Sequence, residues 1–403
     1  MEAQSLTYLF IATVILFFLF TKKVMTNSTW TATMTPLASI IGSGFLISAP
    51  LLNELSGIYA PVLMAILCLA SFGIGEVIRW NINDVEPVLL KSDFKNHTHD
   101  KVRFNERISD WVLAFAYILS ITYYLYLFSS FFLRMTGDHS VVVEKGVVTV
   151  VIMAIAFFGH QHGLSSLERL ESVSVNVKLS IIVTFLMGLA AYQFGSHQIE
   201  SKDISNFNYH SLAVSLGLLI MVQGFETSRY LSEKYNRELR VRSMRYAQLI
   251  SSAIYMLLIV LFIPVFKSHP LSGMISETSV IDIGQFVFVL APTFLFAAAM
   301  ASQLSAAIAD MGGGGGLFAE ISSGRIKSKN AYLFIACVGT ILVWLFDIFK
   351  IISFASKAFA LYYLFQCISS CLINYRVNKI KFTFSFLMAV LCLVIVILGQ
   401  PFE

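Results

Sequence analysis

The sequence of 403 residues has few charged residues, because Asp, Glu, Lys and Arg together make up only 13% of it. Soluble domains carry roughly 25% of these residues. Apolar residues make up 57% of the chain, and the mean hydropathy is +0.75. This composition excludes a water-soluble protein, and the net charge of +4 does not favour nucleic acid as a partner. We therefore predict an all-helical protein that crosses a lipid bilayer many times.

Cysteine is also scarce, and patterns typical of enzymes are missing. All five cysteines lie within apolar runs, which does not indicate the disulfide framework of a small secreted domain. No predicted span presents paired carboxylates, a histidine cluster or an activated nucleophile. The glycines at 312–316 follow no strand and precede no Gly-Lys-Ser/Thr sequence, as a phosphate-binding loop would require. We predict no enzymatic activity, no cofactor and no metal site.

Twelve apolar runs in the chain are candidates for membrane spans. A span needs about 20 residues, so twelve spans would use about 240 residues, close to the apolar content of the chain. The first run is followed by Lys22 and Lys23 and has no basic residue before it, which favours a retained span over a signal peptide. The runs lie near residues 6–21, 35–52, 59–80, 111–133, 146–159, 172–194, 212–227, 247–266, 283–310, 331–347, 350–374 and 382–399.

Positive charges predict how the chain is oriented. If the loop after the first span is cytoplasmic, 21 of the 28 Lys and Arg residues fall in loops on that side, five fall on the other side and two lie within spans. The positive-inside rule then places both termini outside. We predict a multi-pass protein of the plasma (inner) membrane. The basic loop at 81–110 is predicted to be either an amphipathic helix on the membrane surface or a hydrophilic connector.

The second apolar run has two glycines at its centre, in the sequence Gly42-Ser43-Gly44. Each glycine within a helix costs roughly 1 kcal/mol relative to alanine, so an unwound segment is predicted here. The alternative is a face of small residues that lets neighbouring helices pack closely. The sequence alone leaves both interpretations open.

The seventh run places a carboxylate near the middle of the bilayer. Gln223, Gly224 and Glu226 interrupt this run. A carboxylate at this depth costs several kcal/mol unless it is paired, protonated or facing water. Either the helix breaks near Gly224 and Glu226 faces a cavity, or the span ends at Gly224 and Glu226 lies at the membrane interface.

The two breaks divide the chain into two units of five spans. Lys178 lies in the last span of the first unit and Lys357 in the last span of the second. Each is seven residues past the start of its run, counted from Glu171 and from Lys350. By the predicted orientation these runs start at opposite faces, as units of inverted topology require. The predicted organisation is an extra N-terminal helix at 1–29, five-helix repeats at 30–195 and 211–376, and an extra C-terminal helix at 377–403.

These motifs resemble the amino acid-polyamine-organocation (APC) superfamily, whose members share the LeuT fold of ten core helices in two inverted repeats. Residues 40–46, Ile-Ile-Gly-Ser-Gly-Phe-Leu, resemble the break in its first core helix, and residues 224–226, Gly-Phe-Glu, resemble its sixth. Lys178 resembles the lysine of the fifth core helix in proton-coupled amino acid permeases, and residues 312–324 resemble the exit from the eighth. The resemblance covers residues 30–381. The extra first span and the single span after the tenth core helix depart from it.

A helix that is interrupted at mid-membrane can bind a zwitterion. Its new ends expose unbonded amides and carbonyls, and each end carries roughly half a charge. Amides near Gly44 and Phe45 are expected to bind a carboxylate, and carbonyls near Ile40, Ile41 and Gly224 an ammonium group. The remaining candidate substrate-binding residues are Gly42, Ser43, Gln223, Phe225 and Glu226. We predict a secondary transporter that moves a small amino acid by alternating access.

Lys178 is the candidate for proton coupling. Burial disfavours a charged ammonium group, which would allow this lysine to exchange a proton. In the proton-coupled permeases that the chain resembles, this amine occupies the position of sodium in sodium-coupled relatives and bridges the first and eighth core helices. The resemblance implies contacts with carbonyls at 39–42 and with Ser302 or Ser305. The alternative is a lysine that reaches to the inner membrane surface.

Other functions remain open from the sequence. A polyamine, organic cation or inorganic ion carrier of the same fold would be favoured if Glu226 lines the cavity. A sensor or scaffold that binds without transport is a further alternative. Asp310, at the end of the eighth core helix, either contacts cations of an inner gate or is an interfacial carboxylate. Lys357 either stabilises an outer gate or pairs with a carboxylate such as Glu226, or it reaches the outer surface. The sequence does not distinguish symport, exchange and uniport.

Overall fold

The computed structural model is helical, and it describes residues 2–42, 44–90, 97–136, 140–195, 214, 217–269 and 279–399. A single 3-10 turn, Gly57–Tyr59, joins the fourth and fifth helices. The α-helices of the first half are α1 (Glu2–Leu19), α2 (Lys22–Met25), α3 (Ser28–Ile40), α4 (Gly44–Ser56), α5 (Ala60–Asp84), α6 (Glu86–Leu90), α7 (His97–Thr136), α8 (Val141–His162) and α9 (Leu164–Gly195).

The second half begins with two short 3-10 segments, Leu218–Val222 and Phe225–Tyr230, which are separated at Gly224. No strand is present in the described ranges of either half. The remaining α-helices are α10 (Arg237–Ser268), α11 (Ser279–Gly284), α12 (Ala291–Ile321), α13 (Ser328–Leu345), α14 (Ile348–Asn374) and α15 (Lys379–Leu398).

The helix lengths fit a membrane protein. Within the described ranges, nine helical stretches are long and apolar enough to cross a membrane, and a shorter apolar helix covers Ser5–Leu19. The predicted spans at 35–52 and 212–227 are not continuous α-helices, since the first is broken after Ile40 and the second consists of 3-10 segments where it is described. The all-helical membrane architecture is confirmed, while the count of twelve spans stays a prediction.

Where the structure describes it, the predicted loop at 81–110 is largely helical, and the helix that contains the predicted span at 111–133 already begins within it. The helix α6 has only five residues, and α7 extends over 40 residues from His97. The polar start of α7 is stabilised by neighbouring helices, because Nδ2 of Asn105 donates to the carbonyl of Phe365 at 2.8 Å and to Oγ of Ser369 at 2.7 Å. Hydropathy assigns such residues to a loop because it does not detect these partners.

Two other boundaries also differ from the sequence prediction. The helix α9 begins at Leu164 rather than at 172, because Gly163, with a φ of 77°, is the only residue between α8 and α9. The helix α12 does not end at Asp310 but continues through the glycines to Ile321. These glycines allow close packing, since a Cβ atom at Gly315 would overlap the ring of Tyr332.

The two broken segments lie inside a shell of long helices. The helix α3 packs on α9, α10 and α12, and the segment Phe225–Tyr230 packs on α3, α10 and α12. The helix α7 packs against both α12 and α14. The terminal helices lie outside this group, with α1 on α9 and α15 on α14. The fold therefore brings the two breaks together near its centre.

Candidate functional site at the helix breaks

The first break lies between α3 and α4. Ile41, with φ −85° and ψ 58°, leaves the helical conformation, and the next helix begins at Gly44. A Cβ atom on Gly42 would lie 2.9 Å from the ring of Tyr124, so close packing also requires glycine here. The segment is thus both unwound and closely packed. Ser43 lies outside the described residues.

The second break is centred on Gly224, whose φ of 113° lies in the region that favours glycine. Gln223 before it is extended, with ψ 172°. A Cβ atom on Gly224 would overlap the side chain of Ser39 and lie 2.8 Å from the amide nitrogen of Ile40. The two breaks are therefore in direct contact.

One tyrosine hydroxyl binds to both broken segments. The hydroxyl of Tyr255 on α10 lies 3.0 Å from the carbonyl oxygen of Ile40 and 2.9 Å from that of Met221. The hydroxyl has a single proton and donates to one of these carbonyls at a time, so each oxygen keeps at least one lone pair for another donor. The carbonyl of Gly224, also expected to bind an ammonium group, accepts from Oγ1 of Thr227 at 2.8 Å. The protein itself therefore occupies part of the expected ammonium site.

Lys178 is fully buried and connects three helices. Its Nζ donates to the carbonyls of Ala38 at 2.9 Å and Ile41 at 2.6 Å on the α3 side, and to Oγ of Ser305 on α12 at 2.8 Å. An ammonium group has three donors, and three acceptors surround it here. Of the two serines proposed as partners, Ser305 makes the contact, whereas Oγ of Ser302 is buried and has no partner among the described residues. The lysine does not reach the membrane surface, and its coupling role stays a prediction.

Asp310 is also fully buried, so its interpretation as an interfacial residue is wrong. Its carboxylate accepts a hydrogen bond from Oγ of Ser39 on α3 at 2.7 Å and another from Oγ of Ser120 on α7. The residue is enclosed between α3 and α7, and α12 continues beyond it for more than two turns. A carboxylate that the sequence analysis did not assign to the site thus adjoins the first break.

Glu226 lies in the protein interior and not at an interface, since its side chain is fully buried. Its Oε2 accepts from the backbone amide of Gly224 at 3.1 Å and from the hydroxyl of Tyr363 on α14 at 2.7 Å. Its Oε1 has no hydrogen-bond partner among the described residues. The ring of Phe225 stacks on that of Tyr363, with 5.3 Å between the ring centroids. Tyr363 thus contacts both Glu226 and Phe225. Lys357 on α14 is instead exposed and does not contact Glu226.

Several neutral polar atoms near the breaks have unused hydrogen-bonding capacity within the described ranges. Nε2 of Gln223 donates to the hydroxyl of Tyr124 at 3.2 Å, but its Oε1 has no partner. The hydroxyl of Tyr117 and the amide group of Gln303 are likewise buried and unbonded. Gln303 is seven residues, or two helical turns, from Asp310 on the same face of α12. Buried polar groups are normally hydrogen-bonded, so this concentration is unusual.

A second group of buried charges lies at the other end of the Phe225–Tyr230 segment, toward the predicted cytoplasmic face. We call it the Arg229 cluster, and it consists of Arg229, Arg240, Glu86, Glu106 and Gln366. Nη2 of Arg229 lies 2.7 Å from a carboxylate oxygen of Glu106, and Nη2 of Arg240 lies 2.8 Å from one of Glu86. Arg229 also donates to the amide oxygen of Gln366. Hydropathy places these arginines in a loop and does not predict this cluster.

Comparison with known proteins gives matches over nearly the whole chain. A family model described as an APC superfamily transporter matches residues 22–399. A protein of Aquifex aeolicus (strain VF5), named only as uncharacterized, is 40% identical over 375 residues, which cover 93% of this chain and 91% of that protein.

Solved structures of transporters share the fold. A manganese transporter of Eremococcus coleocola is 10% identical, with 93% of this chain and 87% of that chain covered and a TM-score of 0.54. Mhp1, a nucleobase-cation-symport-1 family transporter, is 13% identical, with 92% and 90% covered and a TM-score of 0.54. Both have the LeuT fold, which confirms the predicted fold class. At this level of identity the likeness concerns the fold alone.

Proposed function

Because the chain belongs to the APC superfamily of transporters, we propose that it moves a small solute with a protonated amino group across the membrane by alternating access. Members of this superfamily are transporters and not enzymes. An amino acid is the first candidate for the solute. The observation that carries the proposal is the pair of buried carboxylates, Glu226 and Asp310, each bonded to a residue of one of the two breaks.

The two carboxylates favour a cationic group in the solute. Neither forms an ion pair with any described Lys, Arg or His residue, and their hydrogen-bond partners in the described part of the chain are hydroxyl groups and one backbone amide. A charged carboxylate at bilayer depth is unfavourable unless a positive charge or water compensates it. An ammonium group would supply both the opposite charge and up to three donors. Its arrival would relieve an electrostatic cost that the protein alone leaves uncompensated.

Binding of such a solute would be tied to movement of the broken segments. Gly224 is packed against Ser39, and Ser39 donates to Asp310 at 2.7 Å. A solute that enters between Glu226 and Asp310 has to separate these contacts. Binding of the solute would then depend on the arrangement of the two broken segments. Alternating access requires such a dependence of binding on conformation.

An amino acid also carries a carboxylate, for which the amides at the start of α4, near Gly44 and Phe45, remain the proposed site. The second candidate is an organic or inorganic cation without a carboxylate, which the two acidic side chains favour. Among the described residues no group of three or more His, Cys, Asp and Glu side chains is placed to hold a metal ion. We therefore place an organic amine before a metal ion.

We further infer that transport is coupled to protons through Lys178. In its ammonium form the side chain satisfies three acceptors, on Ala38, Ile41 and Ser305. A neutral amine has only two N–H donors, so loss of the proton leaves one acceptor unbonded. The link between α3 and the pair α9 and α12 then weakens. Protonation would in this way control whether the first broken helix stays attached to its neighbours.

The proposal is tested by thermal unfolding of the purified protein with matched ligands. After a screen of the common amino acids, the best one is compared with the amine that lacks its carboxylate and the acid that lacks its amino group; for alanine these are ethylamine and propionate. A ligand that binds only the folded state raises Tm. We expect the amino acid to raise Tm and the acid to have no effect. Stabilisation by the acid alone, or by manganese(II) alone, would overturn the proposal.

The same ligands distinguish the remaining alternatives. An amine that raises Tm as much as its parent amino acid would assign the protein to the organic cation carriers. Uptake of the stabilising ligand into proteoliposomes then separates a transporter from a sensor, because a sensor binds without flux. We expect uptake that saturates and that an excess of unlabelled ligand abolishes.

A further inference from the structure

A groove of about 600 Å³ lies on the outside of the bundle, at the end of α3 opposite to the first break. The end of α1, the helix α2, the start of α3 and one face of α10 form its walls. Its lining is mainly apolar and includes Phe18, Leu19, Val24, Trp30 and Ile250. Sites for small molecules commonly have 300–1,000 Å³ and a largely apolar lining. The groove is therefore large enough for part of an amphipathic ligand.

A second pocket, with charged side chains in its lining, adjoins the groove. Tyr246 lines both, and the second pocket, of about 450 Å³, also contains Arg242 and Arg245. Lys23 lines the apolar groove itself. Basic side chains thus lie at one end of the apolar groove. This arrangement suits a ligand with an apolar tail and an anionic head group.

These basic groups are available to a ligand. Arg242 is exposed and forms no ion pair with a described residue, and the same holds for Lys23. Arg245 lies 3.4 Å from Glu76 in a solvent-exposed pair, which is a weak interaction. Glu238 is the acidic residue of the second pocket, so the three basic groups Lys23, Arg242 and Arg245 are accompanied by two carboxylates, Glu76 and Glu238. The excess of positive charge complements an anion.

We propose that the groove binds one anionic phospholipid of the surrounding bilayer. An acyl chain lies in the apolar part, against Phe18, Trp30 and Ile250, and the phosphate group lies near Lys23 and Arg242. By the predicted orientation this end of the groove is at the cytoplasmic face, where anionic lipids attract basic side chains. The proposed ligand is thus a component of the bilayer that surrounds the protein.

The proposed lipid site is independent of the proposed transport substrate, but it adjoins α3, whose attachment Lys178 controls under the proposed function. The wall formed by α1 precedes residue 22, where the match to the family model begins. The opposite wall includes Trp30 in the first turn of α3, and the same helix ends with the carbonyls that bind Lys178. A lipid wedged between α3 and α10 would therefore stabilise the packing of α3 in its present position.

The test compares two lipids that differ in head-group charge. Dioleoyl phosphatidylglycerol and dioleoyl phosphatidylcholine are added in turn to the full-length protein in detergent, and Tm is measured. We expect the anionic lipid to raise Tm by several degrees more than the zwitterionic lipid. The double variant Lys23→Gln/Arg242→Gln should lose this difference, while the matched double variant Arg376→Gln/Lys379→Gln, with the same change in charge at another basic loop, should keep it.

Two further measurements keep the proposal falsifiable. Ile250→Trp fills the apolar groove and keeps all the charges, so it should also abolish the preference for the anionic lipid. Glycerol 3-phosphate has the head group without acyl chains and should leave Tm unchanged. Equal stabilisation by the two lipids, an undiminished preference in either groove variant, or a full effect of glycerol 3-phosphate would overturn the proposal.

Discussion

The two groups of buried charge at opposite ends of the Phe225–Tyr230 segment are built differently. In the Arg229 cluster each guanidinium group lies 2.7–2.8 Å from a carboxylate, so positive and negative charges compensate each other. At the breaks, Glu226 and Asp310 are bonded to hydroxyl groups and an amide, without a cation from the described part of the chain. We interpret the ion-paired Arg229 cluster as a set of contacts that stabilises the structure. We interpret Glu226 and Asp310, which lack such a cation, as the binding site for a positively charged group of the ligand.

The largest effect should follow from breaking the compensated group. Arg229→Met leaves Glu106 buried without its partner, and removing one member of a buried ion pair typically costs about 3–5 kcal/mol. We expect a large decrease in Tm in detergent. Arg376→Met, at an exposed position, should change stability by no more than about 0.5 kcal/mol. Equal Tm values for the two variants would mean that the Arg229 cluster does not hold the structure together.

Removing the charge of Glu226 or Asp310 should lower transport without lowering Tm, in contrast to Arg229→Met. Glu226→Gln and Asp310→Asn keep the shape of each side chain and remove its charge, so we expect Tm to be unchanged or raised. Uptake should decrease at least 10-fold, because an interaction between buried charges is typically worth about 2–5 kcal/mol. The measurement is uptake by proteoliposomes together with Tm of the same preparation. Full uptake by both variants would contradict the assignment of the pair to the substrate.

The next prediction concerns the lysine that adjoins the first break. Lys178→Met removes the titratable group and should abolish the pH dependence of uptake, leaving at most a pH-independent residual rate. Lys357→Met is the matched control, because Lys357 is exposed in α14. Uptake by both variants is measured across a pH series with an imposed proton gradient. Proton coupling that persists in Lys178→Met would rule out this lysine as the coupling group.

The smallest effect distinguishes the two serines of α12. Ser305→Ala removes an acceptor of Lys178, and a hydrogen bond to a charged group contributes about 1.5–3 kcal/mol, part of which a water molecule can replace. Ser302→Ala removes a hydroxyl that has no partner among the described residues, so it should be neutral. The pH profile of uptake should shift in Ser305→Ala and not in Ser302→Ala. The reverse order would contradict the observed arrangement of Lys178.

Several features could be predicted from the sequence because they interrupt long apolar runs. Scarcity of charge indicated a membrane protein, and glycines at 42, 44 and 224 indicated the breaks. Lys178 and Glu226 were conspicuous because ionisable side chains are rare at bilayer depth. The contact of Lys178 with Ile41 lies within the range 39–42 that the resemblance implied, whereas the contact with Ala38 lies one residue before it.

Other features could not be predicted, because they depend on partners that are distant in the sequence. Asp310 precedes five glycines, which normally indicate the end of a helix, and only their packing against Tyr332 and Tyr230 allows α12 to continue. Arg229 lies in a polar stretch that hydropathy assigns to a loop, while its partner Glu106 is 123 residues away. Hydropathy detects isolated charges within apolar runs and does not detect charges that are buried in pairs.

The central claim is that Glu226 and Asp310 hold the solute's amino group, and a structure with the solute bound tests it most directly. The ligand should be the one that the thermal screen selects. The account predicts that the amino nitrogen lies within about 3.2 Å of a carboxylate oxygen of Glu226 or Asp310. A solute whose nitrogen is bonded only to backbone carbonyls, with both carboxylates keeping their present hydroxyl partners, would contradict it.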